Sequence, residues 1–202
     1  MNRPSEVVLA SGNPGKLAEL RRIVAEAGIE VTVRGLDEFE PYDDPDETER
    51  SFDGNALIKA RAAVRHTGLP AIADDSGLEV DELNQMPGVR SARWAGPQRD
   101  DEANNALLLC QLDGVPPERR GARFVAVLAY ADPDGGRLLW RGSMPGTIAE
   151  APTGRNGFGY DPLFVPDGLE VTSAQLSAAE KDHISHRGQA VRAFVAWLGA
   201  TP

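Results

Sequence analysis

A single cysteine, Cys110, stands in a chain of 202 residues, so no internal disulfide forms and no thiolate cluster exists for zinc. It closes the apolar run Ala106-Leu107-Leu108-Leu109-Cys110 and reads as a plain core thiol. Histidine is nearly as scarce. His66, His183 and His186 are too scattered for a zinc site, and the first two read as surface residues. Basic residues are outnumbered, 21 Lys and Arg against 31 Asp and Glu. The resulting net charge of −10 argues against a surface for nucleic acid or anionic membrane. It leaves open a small anionic ligand held by a few gathered cations. No stretch approaches the ~20 apolar residues of a membrane span. The run Val7-Val8-Leu9-Ala10 is too brief for a signal peptide, so the chain reads as cytoplasmic. Internal repeats and low-complexity segments are also lacking.

What is present suits one globular domain over residues 1–202, with room for two lobes: 41% of residues are hydrophobic, enough for a proper core. Residues 7–10 form a strand candidate that runs into a glycine turn. A helix follows, with Leu17, Leu20, Val24 and Ala27 at spacings of three and four, and Gly28 stops it. Residues 31–34 make a second strand, 37–50 an acidic loop, and 51–66 a helix ended by Gly68. The apolar run 69–73 reads as a buried strand ending on Asp74-Asp75-Ser76-Gly77, with a half-buried strand at 78–81. Asp100 or Asp101 caps a helix reaching Leu112. Residues 124–131 and 137–141 flank a hairpin turn, and 162–165 form a short strand. Ser177 and Glu180 make a capping box, and a last helix begins near Ser185 with Ala190, Phe194 and Trp197 on one face. Interleaved strands and helices, with a late hairpin, predict a mixed α/β sheet flanked by helices.

Five segments carry residues suited to chemistry. Ser11-Gly12-Asn13-Pro14-Gly15-Lys16 sits between a strand and a helix, where backbone amides and a lysine favour a phosphate. It is not a Walker A loop, because only two residues separate Gly12 from Gly15 and Leu17 follows Lys16. An ordinary glycine turn with a surface lysine fits the same residues. Asp74 and Asp75 repel each other unless a cation relieves them, and hard carboxylate oxygens suit Mg²⁺. A local turn motif is the alternative. Asp43, Asp44, Asp46, Glu47 and Glu49 read as a solvated acidic face from which one residue closes over a metal.

In Gly157-Phe158-Gly159-Tyr160-Asp161, glycines hold an aromatic ring clear for a base to stack, and Asp161 is placed to accept purine hydrogen bonds. A glycine-rich turn around a core phenylalanine fits equally. Finally, Lys181 precedes a helix start whose first turn carries His186 and Arg187. Cations there oppose the helix dipole, which points to an anionic or carbonyl-bearing ligand.

These segments, in this order, resemble the Ham1-like inosine triphosphate pyrophosphatases, a family acting on non-standard purine nucleoside triphosphates. The resemblance also takes in Phe52-x-x-Asn55-Ala56-x-x-Lys59-Ala60 and Pro87-Gly88-Val89-Arg90-Ser91-Ala92-Arg93, and so spans nearly the whole chain. It implies an elongated, two-lobed α/β fold with the active site in a cleft, and a homodimer. It implies hydrolysis of ITP, dITP and XTP to the monophosphate and pyrophosphate with Mg²⁺. By the same resemblance Ser11, Gly12, Asn13, Pro14, Gly15 and Lys16 bind phosphate, and Glu47 and Asp75 hold the metal. Asp75 becomes the general base and Ser76 a substrate contact. Phe158, Gly159, Tyr160, Asp161, Lys181, His186 and Arg187 hold the purine. The departure at Asp53-Gly54 is small, and the Glu47 assignment falls in a variable acidic loop. A Maf-like nucleotide pyrophosphatase and a nucleotide-binding regulator without turnover are the rival readings. The Phe158 and His186-Arg187 segments weigh against the first, and the Asp74-Asp75 pair weighs against the second.

Overall fold

The structure, a computed structural model, describes residues 3–200. Strand β1 (Glu6–Leu9) leads into helix α1 (Pro14–Glu26), then β2 (Thr32–Gly35), α2 (Phe52–Thr67) and β3 (Ala71–Val80). The chain continues through β4 (Met86–Pro87), α3 (Asp101–Gln111), β5 (Gly121–Ala131), β6 (Arg137–Ile148) and β7 (Phe164–Pro166). It finishes with α4 (Ala178–Ile184) and α5 (His186–Gly199). The strands make a mixed sheet in the order β2-β1-β3-β5-β6-β7, with β4 on β3. β1 lies parallel to both β2 and β3, while β4 and β7 pair antiparallel with β3 and β6.

The helix ends follow local chemistry. Asn13 caps α1, Ser51 caps α2 through the Gly54 amide, and Asp100 caps α3. Gly68 stops α2 at φ 72°, a left-handed conformation that a side chain would strain.

One expectation fails here. Asp74-Asp75-Ser76-Gly77 does not end a strand; β3 runs through it without a break to Val80. The polar dipeptide lies mid-strand all the same, because strand pairing runs through the backbone whatever the side chains carry. Strand alternation therefore sends Asp74 and Asp75 to opposite faces of the sheet.

The chain forms two compact units. The first holds residues up to Asp75, Val127–Arg141 and the segment from Gln189 onward. On one face of its strands, Val7, Leu9 and Ile72 pack with Leu20, Val24 and Phe194 from α1 and α5. On the other, Val8 and Ala71 pack with Ala63 of α2. The second unit spans Ser76–Ala126 and Gly142–Gly188. Its core joins Leu78, Val80, Leu108, Leu112, Phe124, Leu163 and Phe164, each worth about 1.5–3 kcal/mol of burial. Arg120, buried there, donates to the carbonyls of Leu112, Ile148 and Ala149.

Cys110 is exposed, not a core thiol. The buried face of α3 runs through Asn104 and Leu108. Two residues past Leu108 the helix has turned by about 200°, so an apolar run puts some of its members outside. Among the described residues no helix is long and apolar enough to cross a membrane.

Candidate active site

The first cluster lies on the two faces of β3 in the first unit. Asp74 shares the face of Ile72, where α1 starts. Lys16 Nζ meets both of its carboxylate oxygens at 2.8 Å. An ammonium has three donors, so one is left for another acceptor. The glycine turn is more occupied than its sequence implies. Asn13 Oδ1 accepts the Gly15 and Lys16 amides, and Ser11 Oγ accepts the Asn13 amide. Much of the donor set expected for phosphate is thus satisfied within the turn, and its cation, Lys16, is paired with Asp74. Pro14 opens the helix without a donor to satisfy, and Gly12 has open space where a side chain would be.

Asp75 shares the opposite face with α2. Lys59 Nζ sits 3.1 Å from Asp75 Oδ1 and 3.1 Å from Glu47 Oε1, so one cation bridges both carboxylates. Within the acidic loop Glu47 is partly buried, with 26% of its side chain exposed, whereas Asp43, Asp44, Asp46 and Glu49 are exposed. Burial thus singles out Glu47 from its solvated neighbours. The loop is tied down at both ends. His66 Nε2 lies 2.6 Å from the Glu40 carbonyl with its ring stacked on Tyr42, and the Glu49 amide donates to Asn55 Oδ1.

Burial raises the Asp75 pKa above the ordinary carboxyl value, and Lys59 opposes the shift without cancelling it. For Lys59, burial works against the charged form, but Asp75, Glu47 and Asp74 together raise its pKa. Asp75 Oδ2 is buried and has no hydrogen-bond partner. The Asn55 amide lies close enough to favour ionised Asp75, yet its Nδ2 meets no acceptor at hydrogen-bonding geometry. An orphaned carboxylate oxygen beside a second carboxylate fits a hard divalent cation. Among the described residues no group of three His, Cys, Asp or Glu gathers to hold a metal. Two carboxylates with substrate phosphates completing the shell is the arrangement that Mg²⁺ commonly takes.

The second cluster lies in the second unit. Phe158 is 63% exposed, the most open large apolar side chain among the described residues. Lys181 Nζ and Arg187 Cζ stand 5.0 and 5.9 Å from its ring centre, within cation–π reach. Arg187 Nη2 also donates to Ser76 Oγ at 3.3 Å. Asp161 is only 1% exposed. Its Oδ2 accepts the Phe158 amide at 2.9 Å and a hydrogen bond from Lys181. A Cβ on Gly157, at φ +76°, would meet that same oxygen at 2.0 Å, so glycine is required for the turn to close over the carboxylate.

The structure gathers Ser76, Phe158, Asp161, Lys181 and Arg187, and it places Tyr160 and His186 in packing. Tyr160 is buried and donates its hydroxyl to the Ser91 carbonyl, and that burial raises its pKa. His186 stacks on Phe124 at 5.1 Å. Lys181 lies in α4, ahead of the start of α5 at His186. Sequence reading gave no role to Asn55 or Lys59. Their spacing of four, which stacks them on one face of α2, was the available signal.

Comparison with known proteins places the whole chain in one family. The Ham1 family model matches residues 7–197, and the chain belongs to that family. It is 57% identical over 197 residues to a dITP/XTP pyrophosphatase of Nocardia farcinica, covering 97% of this chain and 96% of that one. The crystal structure of a nucleoside-triphosphatase / dITP/XTP pyrophosphatase from Mycobacterium abscessus superposes with a TM-score of 0.82 at 52% identity, covering 96% and 98% of the two chains. A HAM1 protein from Coxiella burnetii gives 0.89 at 42% identity, again covering 96% and 98%. The mixed, helix-flanked α/β fold expected from the sequence is the fold of these relatives.

Proposed function

We propose that this chain is a dITP/XTP pyrophosphatase, hydrolysing dITP, XTP and ITP to the nucleoside monophosphate and pyrophosphate and so clearing them from the nucleotide pool. The observation that carries the reading is the buried Asp75 carboxylate, with one oxygen unpartnered and Glu47 joined to it through Lys59. The names of full-length relatives more than half identical support the substrate class.

Glu47 and Asp75 would hold Mg²⁺. When bound, the ion neutralises phosphate charge and polarises the scissile anhydride. Asp75 accepts the proton of the attacking water, a task helped by a carboxyl pKa raised toward the working pH. Lys59 holds Asp75 and Glu47 in register, and Lys16 offers its remaining donor to the triphosphate together with the 11–15 turn. Phe158 stacks the purine, worth roughly 1–3 kcal/mol. Arg187 donates to the 6-oxo oxygen, and Ser76 contacts the substrate beside it. Asp161 works through the Phe158 amide and Lys181, and Tyr160 and His186 keep that segment in place. Residues 1–202 act as one pyrophosphatase domain, working as a cytoplasmic homodimer as the family resemblance implies.

Incubation with dITP and Mg²⁺, with products separated by anion exchange, should give monophosphate and pyrophosphate. Orthophosphate as the first product would overturn the reaction class. Within this scheme Lys16→Ala should raise KM for every triphosphate by about tenfold, the loss of a charged hydrogen bond. The dITP-to-GTP ratio of kcat/KM should stay unchanged, because Lys16 meets only phosphate.

A further inference from the structure

Gly159, next to the exposed Phe158, is gripped from both sides by one face of α3. Its amide donates to Asp101 Oδ2 at 2.6 Å, and its carbonyl accepts from Asn105 Nδ2 at 2.9 Å. Asp101 and Asn105 are four apart, so they project from the same face of the helix. Asn105 is an unexpected choice for a helix interior, where asparagine is a poor helix former. Its Oδ1 is buried without a partner, so the bond to Gly159 is what its amide gains there. On the other side of the ring, the Phe158 amide is held by Asp161. The backbone of Phe158 is therefore fixed on both sides while its ring is left open. An exposed aromatic so fixed loses little freedom when a base stacks on it.

We propose that Asp101 and Asn105 are positioning residues for base recognition, clamping Gly159 so that the Phe158 ring is set before the purine arrives. This rests on the reading of Phe158 as the purine platform. A merely structural role for α3 predicts something different, namely a loss of activity or stability that does not depend on the Phe158 ring.

A double-mutant cycle separates the two. Asn105→Leu removes the donor at similar volume, and Asp101→Ala removes the acceptor independently. Each should lower kcat/KM for dITP and XTP by about 2–10-fold, the worth of one hydrogen bond, mainly through KM. Circular dichroism should show the melting temperature held within a few degrees. In a Phe158→Ala background the same substitutions should change kcat/KM by less than twofold, since the group they position is gone. An equal loss in both backgrounds, a loss confined to kcat, or no loss in the parent enzyme would overturn the clamp. Should Asn105→Leu fail to fold, Asp101→Ala decides by the same comparison. If Phe158→Ala itself leaves dITP and XTP turnover intact, the platform reading falls, and the clamp falls with it. That outcome is distinct from additivity, which removes the clamp alone.

Discussion

Asp75→Asn should lower kcat on dITP by roughly 10²–10⁴, the contribution of a positioned general base, without loosening the fold. The amide keeps the shape of the carboxylate but neither takes a proton nor offers an anionic oxygen to a metal. A folded variant with near-normal kcat at saturating Mg²⁺ would remove Asp75 from the mechanism. Loss of turnover alone is ambiguous, because an unfolded variant also loses it. Stability supplies the second readout, and its direction follows from the pKa shift.

Burial raises the Asp75 pKa on folding, with Lys59 pulling the other way. A carboxyl with a raised folded-state pKa stabilises the fold below its unfolded value. That stabilisation is lost as pH rises through the folded value. At neutral pH, without metal, ionised Asp75 is therefore a burden on the native state. Asparagine does not ionise. In EDTA at pH 7, Asp75→Asn should melt at the same temperature as the parent or higher, by calorimetry. The difference should close below about pH 3, where the parent carboxyl is protonated in both states. A markedly lower melting temperature at pH 7 would make the Lys59–Asp75 pair a structural salt bridge.

The sequence was legible where local chemistry acts alone. Ser51 and Gly68 bracket α2 as their cap preferences dictate, and Ser177 and Glu180 close their box. It was misleading where long-range contacts decide. Asp-Asp-Ser-Gly carries turn residues, yet at β3 the neighbouring strands supply the hydrogen bonds and the strand continues. The consequence reaches the site: two adjacent aspartates look like one metal pair but serve opposite faces, Asp74 with Lys16 and Asp75 with Lys59. Lys59 and Asn55 were visible as motif residues only. Their roles depend on the acidic loop folding back onto α2, which no spacing reveals. Tyr160 and Asp161 are buried beside the exposed Phe158, a contrast that their spacing in the sequence does not announce.

Arg187→Ala should change which substrates are favoured, lowering turnover of the 6-oxo purines and sparing that of ATP. Arg187 lies against the Phe158 ring and bonds Ser76, beside the stacked base in the proposed scheme. Hypoxanthine and xanthine present a 6-oxo acceptor to its guanidinium, whereas adenine presents an amino donor and gains nothing from it. Loss of a charged hydrogen bond amounts to ~1.5–3 kcal/mol, so kcat/KM for dITP and XTP should fall between about 10- and 150-fold. ATP turnover should stay near its low starting level, collapsing the discrimination by the same factor. Phe158→Ala provides the contrast, since stacking is blind to the 6-substituent and all purines should lose alike, by roughly 1–3 kcal/mol. Measuring kcat/KM for dITP, XTP, GTP and ATP in both variants distinguishes the roles. GTP, with its 6-oxo group, should follow dITP in the Arg187 variant. Equal losses for dITP and ATP there would move Arg187 from base reading to phosphate binding, because phosphate is the part that those two substrates share.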